Sequence, residues 1–300
     1  MILSDLYHEL ISFRERMHRK SKAVFRRYLK NAAEKLKLEY QILPQSKLAK
    51  NVIIGNLDTA EYIVGAHYDT PPKIPPFIAN NIVAVNIANI IIPLVAVVLF
   101  FFFPLIASIV TGLYLLSLIY LLGFFSIANK NNQNDNTSGI LVLLYLMRIL
   151  SNKKVVYVFF DNEENGLIGT FLFLSYLRKQ NIRLLKKQYL ILDCVGRGEL
   201  FRFISFQKNN IPDNLKKIAE EFKFQNYRFE VKKGSLFELS DHFVFFNYSH
   251  VGIMSYEQKG AKYKIKDIHC RKDRFLNLQN IKVITEIIGK YIDEGDCYGR

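Results

Sequence analysis

Over the first forty positions apolar residues recur on one stripe at helical spacing: Leu3, Leu6 and Leu10, then Val24, Tyr28 and Leu36. That spacing predicts a helical N-terminal region over 1–40 whose opposite face is basic. Such a helix either packs on its own domain or lies on a membrane surface. From Glu61 onward the pattern changes period repeatedly. EYIVGAHYD (61–69), KVVYVFFD (154–161), QYLILDCVG (188–196), LFRFISF (200–206) and HVGIMSY (250–256) have the short apolar runs of strands. SGILVLLYLMRIL (138–150), GLIGTFLFLSYLRK (166–179), NLKKIAEEF (214–222) and IKVITEIIGKYI (281–292) have the longer period of helices. Alternation of this kind predicts an α/β domain, with a mostly parallel sheet covered by helices on both faces. No internal repeat divides the chain, so 1–300 is expected to form one domain.

One block breaks the pattern. Between Lys73 and Lys130 no residue is charged. A membrane span needs about 20 apolar residues, and this block has room for two, Ile82–Phe103 and Leu105–Ile127, with Pro104 at the turn. The expectation is a two-helix transmembrane hairpin inserted over 78–128. Core helices of a soluble domain and a re-entrant hairpin are the alternatives. Lys73 and Lys130 flank the block, and the N-terminus carries Arg and Lys but no apolar signal segment. The positive-inside rule then predicts a multi-pass protein of the cell membrane, held by the lipid bilayer through 78–128, with both flanks in the cytoplasm. Cys194, Cys270 and Cys297 show no paired spacing, which agrees with a reducing compartment.

The formal charge is +14. Nucleic acid, an anionic surface and an acidic substrate are all compatible with it, as is a plain bias toward Lys. No nucleic-acid motif accompanies the charge, and no nucleic-acid partner is expected.

Within so basic a chain, the strand VVYVFF ends in Asp161, Asn162, Glu163 and Glu164. Other strand ends are similar: His67 and Asp69 follow 61–66, and Asp193 follows 188–192. Asp135 lies before the 138–150 helix, and IHCRKD brings His269 and Asp273. Ligands of such folds bind beyond the carboxyl ends of the strands. Taken singly, these residues read as turns, caps or buried side chains. Taken together, carboxylates that crowd repel each other unless a cation neutralises them. Imidazole with carboxylate favours zinc over magnesium or calcium. No H-E-x-x-H, P-loop, G-x-G-x-x-G or G-x-S-x-G occurs. Ser240, Asp241 and His242 are consecutive, so they cannot face one another as a serine triad.

GAHYDT, NDNTSG, FFDNEENGLIG, LILDCVG, SDH and IHCRKD occur in an order that resembles the di-zinc aminopeptidases of metallopeptidase family twenty-eight, which also holds glutaminyl cyclases. The resemblance implies a three-layer α/β/α sandwich around a mixed sheet, and two zinc ions per chain. Asp135 would bridge them, with His67 and Asp193 completing one site and Glu164 and His269 the other. Glu163 would be the general base, and Asp69 would orient His67. The implied activity is that of an aminopeptidase acting on peptide substrates, and the hairpin would tether it to the membrane. The implied alternatives are one-zinc glutaminyl cyclisation and an inactive, membrane-bound binding protein. Two features depart from the family pattern: the hairpin, and Cys270 and Arg274 in the HCRKDR stretch.

Overall fold

The computed structural model describes residues 3–43, 48–121, 127–150, 154–235 and 240–298. Two helices open the chain, α1 (Leu3–Ile11) and α2 (Arg19–Lys35), where a single helical region was expected. The break between them holds Arg16, which is fully buried. Strands β1 (Tyr40–Ile42), β2 (Val52–Ile54) and β3 (Tyr62–His67) follow. After the uncharged block come α6 (Ser138–Ile149), β4 (Val155–Phe160), α7 (Ile168–Lys179), β5 (Gln188–Leu192) and β6 (Leu200–Ser205). The chain closes with α8 (Ile211–Glu221), β7 (Arg228–Lys233), β8 (His250–Lys259), β9 (Lys262–Lys264) and α9 (Leu278–Tyr298).

Among the described residues the sheet order is β1-β2-β4-β3-β5-β8-β6-β7, with β9 paired to β8. The centre, β4-β3-β5-β8, is parallel. The β1–β2, β2–β4, β6–β8 and β8–β9 pairings are antiparallel, so the sheet as a whole is mixed. Strand period sorts the core into two layers. Tyr62, Val64, Tyr157, Phe159, Leu190 and Phe203 pack against α1, α2, α6, α8 and α9. Their neighbours Ile63, Val156, Val158, Tyr189 and Ile191 pack against α7 and the turn at Asp241–Phe245. β1, β2 and β9 escape the sequence pattern because three residues are too few to show a period, and β7 because it lies at an edge with mostly exposed residues.

The uncharged block forms α3 (Pro76–Ala79), α4 (Ile82–Phe102) and α5 (Pro104–Leu121). α4 and α5 fold back on each other, and the Tyr114 hydroxyl donates to the Asn89 carbonyl at 3.1 Å. Among the described residues no helix is long and apolar enough to cross a membrane. The expected two spans, the bilayer contact through 78–128 and the cell-membrane location with a cytoplasm-facing site are corrected accordingly. Pro93 interrupts the interior of α4, where it removes a backbone donor. α5 has 18 residues, about 27 Å at the helical rise and short of a hydrocarbon core of about 30 Å. Residues 122–126 of the second expected span lie outside the described residues. The hairpin's described residues join neither main core layer.

Phe159 is fully buried at the centre of the larger layer. Phe159→Ala is expected to lower unfolding free energy by about 3–5 kcal/mol, read from denaturant unfolding.

Candidate metal centre

Each expected site residue except His269 and Asp135 stands just beyond a parallel strand. His67 ends β3 and Asp69 follows it; Glu163 and Glu164 follow β4; Asp193 follows β5. The sheet therefore aims these side chains at one place. Asp135 enters from the loop before α6, and His269 from the loop between β9 and α9.

The five expected ligands converge. His67 Nε2 lies 3.2 Å from Asp135 Oδ1 and 3.7 Å from Asp193 Oδ1. His269 Nε2 lies 2.8 Å from Asp135 Oδ2 and 3.4 Å from Glu164 Oε2. The two oxygens of Asp135 thus face different imidazoles, and each imidazole faces a second carboxylate. Ligand atoms of His67, Asp135 and Glu164 fall within 4.8 Å of one another, as do those of Asp135, Asp193 and Cys194. Glu164 Oε1 and Asp193 Oδ1 are buried without a hydrogen-bond partner among the described residues. Buried acceptors left unpaired are costly, and a divalent cation would satisfy them. The donor set, imidazole with carboxylate, suits zinc.

The motif NDNTSG is legible in this frame as a set of fasteners. Asn134 Oδ1 accepts the Gly196 N–H at 2.8 Å, and Asn136 Nδ2 donates to the Leu192 carbonyl at 2.9 Å. Ser138 Oγ accepts the Val195 N–H at 3.1 Å. Asp135 is thereby tied to the segment that carries Asp193. Asp273 grips the same loop from the other side: its carboxylate accepts the N–H groups of Asn134 and Asp135 at 2.8 and 3.0 Å.

Asp69 was expected to orient His67. It lies 3.5 Å from His67 Nδ1, too far for a strong hydrogen bond. Its firmer contacts are with the Glu163 and Glu164 backbone N–H groups, at 3.1 and 3.2 Å. Asp69 therefore holds the acidic turn. Gly169 lets α7 start against that turn, since a Cβ there would meet the Asp161 carbonyl oxygen at 2.0 Å. Asp161 itself points away, into an ion pair with Lys22 at 2.6 Å. The His242 ring stacks on Phe206, and burial holds its imidazole neutral, with a pKa lowered to about 3. The residues Ser240–His242 form no triad.

Arg16 escaped the sequence reading because it looked like one more base on a polar helix face. Its Nε donates to the Tyr68 carbonyl at 2.6 Å, between His67 and Asp69. Its Nη2 donates to Thr137 Oγ1 at 3.0 Å and Asn132 Oδ1 at 3.3 Å, on either side of Asp135. One guanidinium thus joins the two loops. Burial lowers its pKa to about 10, against the opposing pull of Asp69 and Asp135, so it stays charged at neutral pH.

Charge and burial compete throughout. Burial alone would lower His67, but Glu163 together with Asp135, Asp193 and Asp69 raises it well above the usual imidazole range. Burial would raise Asp135, but His269 and His67 hold it far below the usual carboxylate range. Burial raises Glu163, and Asp241, Asp193 and Asp69 add to the shift against the pull of His67. Burial also raises Glu164, assisted by Asp135 and Glu163. Asp241 and Asp273 are both raised to about 7, chiefly by burial.

These shifts have a signed consequence for stability. Asp241 and Asp273 hold protons up to about pH 7 when folded, but only to about pH 4 in an unfolded chain. The folded state binds more protons across that window, so stability falls as pH rises through it. In the presence of chelator the melting temperature should drop between about pH 5 and about pH 8. Zinc should raise it more at the higher pH, where the ligands no longer compete with protons.

Comparison with known proteins places the chain in a family. The model of peptidase family M28 matches residues 125–292, more than half of the chain. The sequence finds no match among curated proteins. Among solved structures, Porphyromonas gingivalis glutaminyl cyclase superposes with a TM-score of 0.68 at 17% identity, covering 98% of this chain and 97% of that one. The Legionella pneumophila LapA aminopeptidase gives 0.65 at 12% identity, covering 97% and 68%. A Zn-dependent exopeptidase from Parabacteroides distasonis gives 0.65 at 15% identity, covering 100% and 98%. At these identities the likeness shows a common fold. With the match over 125–292, the chain belongs to peptidase family M28.

Proposed function

We propose that this chain is a zinc-dependent aminopeptidase that binds two ions and removes N-terminal residues from peptides. One observation carries the reading: Asp135 presents one oxygen to His67 and the other to His269, and each imidazole faces a further carboxylate, Asp193 or Glu164. That is a donor set for two cations sharing one bridge. Asp135, His67 and Asp193 would hold one, and Asp135, His269 and Glu164 the other. Zinc, when bound, supplies Lewis acidity where these side chains meet.

The chain's own residues do the proton work. Glu163 is next to Glu164 in sequence, yet it is not among the side chains that contact the two imidazoles within ion-pair distance. It is free to take the proton from the attacking water and return it to the leaving amine nitrogen. Asp69 fixes the backbone of both glutamates, so base and ligand keep separate directions. Arg16 and Asp273 hold the Asp135 loop against β3 and the His269 loop.

Metal analysis of the purified chain, with release of N-terminal amino acids from peptides with and without chelator, tests the reading. Two zinc ions per chain and chelator-sensitive release are expected. Ammonia and a pyroglutamyl product from Gln-peptides, with one zinc, would replace it by cyclisation. Glu163→Gln should cut kcat by about 100-fold or more while bound zinc is unchanged. Normal turnover in that variant refutes Glu163 as the base.

A further inference from the structure

The loops that bring Asp193 and His269 to the site run on into a second feature. Four residues past Asp193 is Arg197, and two past His269 is Arg271. Together with Asp267, Lys272, Arg274 and Phe275 they line an open groove of about 500 Å³. The two loops are bonded to each other at this point, through the Asn277 N–H and the Gly196 carbonyl at 2.8 Å. The groove is thus built from the same two segments that carry Asp193 and His269.

Its charge is unbalanced. The acids nearby are already committed: Glu257 pairs with Arg197 at 2.7 Å and with Lys266 at 3.4 Å, and Asp267 lies 3.8 Å from Arg197. Asp267 also accepts from Asn80 Nδ2 at 3.2 Å. Arg271, Lys272 and Arg274 are exposed, and among the described residues none has an acidic partner. Arg274 Nε donates to the Arg271 carbonyl at 2.8 Å, which ties the Arg274 side chain to the Arg271 backbone. Arg197 Nη1 is buried and has no hydrogen-bond partner among the described residues. Phe275, exposed by 72%, gives the cationic wall an apolar edge.

We infer that this groove is a substrate subsite for a carboxylate, so that the enzyme prefers peptides carrying an acidic group close to the scissile bond. The inference rests on the peptidase reading above and narrows its substrate class. A guanidinium binds carboxylate through two parallel N–H bonds, and a cluster of three unpaired bases makes the approach of an anion favourable before contact. The carboxylate can come from a Glu or Asp side chain or from the C-terminus of a short peptide. The chemistry is shared, and the experiment separates the two sources.

The zinc-loaded full chain is assayed on tripeptides in which Glu replaces Gln at each position in turn, each made with a free and with an amidated C-terminus. The parent is compared with a variant combining Arg271→Ala, Lys272→Ala and Arg274→Ala, whose zinc content and melting temperature are checked first. For the parent, KM should be about tenfold lower for the acidic peptide at one position, and the advantage should shrink as salt rises. In the variant the ratio should fall to near one. A preference that survives amidation identifies a side-chain carboxylate; one that vanishes identifies the C-terminus. Equal KM for every Glu and Gln pair, and for free and amidated ends, overturns the subsite, as does a variant that keeps the preference. Binding of the same peptides, fluorescein-labelled, is measured by polarisation in parallel. A chain that discriminates in binding without hydrolysis sinks the peptidase reading and leaves the subsite standing. One that hydrolyses without discrimination does the reverse.

Discussion

Like charges crowd at one end of the sheet, and the rest of the molecule is organised around that repulsion. Asp69, Asp135, Glu163, Glu164 and Asp193 meet where the parallel strands stop, and Asp241 and Asp273 are buried close behind. Unpaired buried carboxylates are among the costliest arrangements a fold can hold. Here the opposing charge is distributed: two imidazoles in front, the Arg16 guanidinium beneath, and the Lys22 ammonium beside Asp161. What remains unbalanced is the charge for which divalent cations are suited.

The geometry depends on a ring of residues that never meet the ligand positions directly. The side chains of Asn134, Asn136, Ser138, Asp273 and Asp69 bond to the backbone of the loops that carry the converging residues. Arg16 belongs to this ring although it lies far outside the 125–292 stretch that matches the family. α1 and α2 are therefore part of the domain's core rather than an appendage: they pack in the larger core layer and place a buried charge under the candidate site. Partnering through several donors at once is what makes a fully buried guanidinium tolerable.

The loop that delivers His269 does two jobs through adjacent residues. Its inward members, His269, Cys270 and Asp273, face the centre or the core, whereas Arg271, Lys272 and Arg274 face solvent. The stretch HCRKDR keeps His269 and Asp273 and departs from the family pattern at Cys270, which is buried, and at Arg274, which faces solvent. Part of the chain's +14 charge is concentrated there, on the wall of the open groove.

The alternation of periods, and the acids and histidines at strand ends, were legible because both are local: burial on alternate faces dictates the period, and a strand's end dictates where its next side chain goes. The α/β class, the central strands β3, β4, β5 and β8, and His67, Glu163, Glu164 and Asp193 were readable in this way, whereas Asp135 and His269 come from loops. Short edge strands such as β7 were not, since half-exposed strands bury too little to impose a pattern. The uncharged block misled for a related reason. Hydropathy reports transfer free energy and not helix continuity, and Pro93 and the 18-residue length of α5 belong to the latter. Only the tertiary structure decided that the N-terminal helix breaks at Arg16, that Asp69 serves the glutamates more than His67, and that Asp161 turns away to Lys22. Each depends on distances between segments tens of residues apart, and an amino-acid sequence states its chemistry one position at a time.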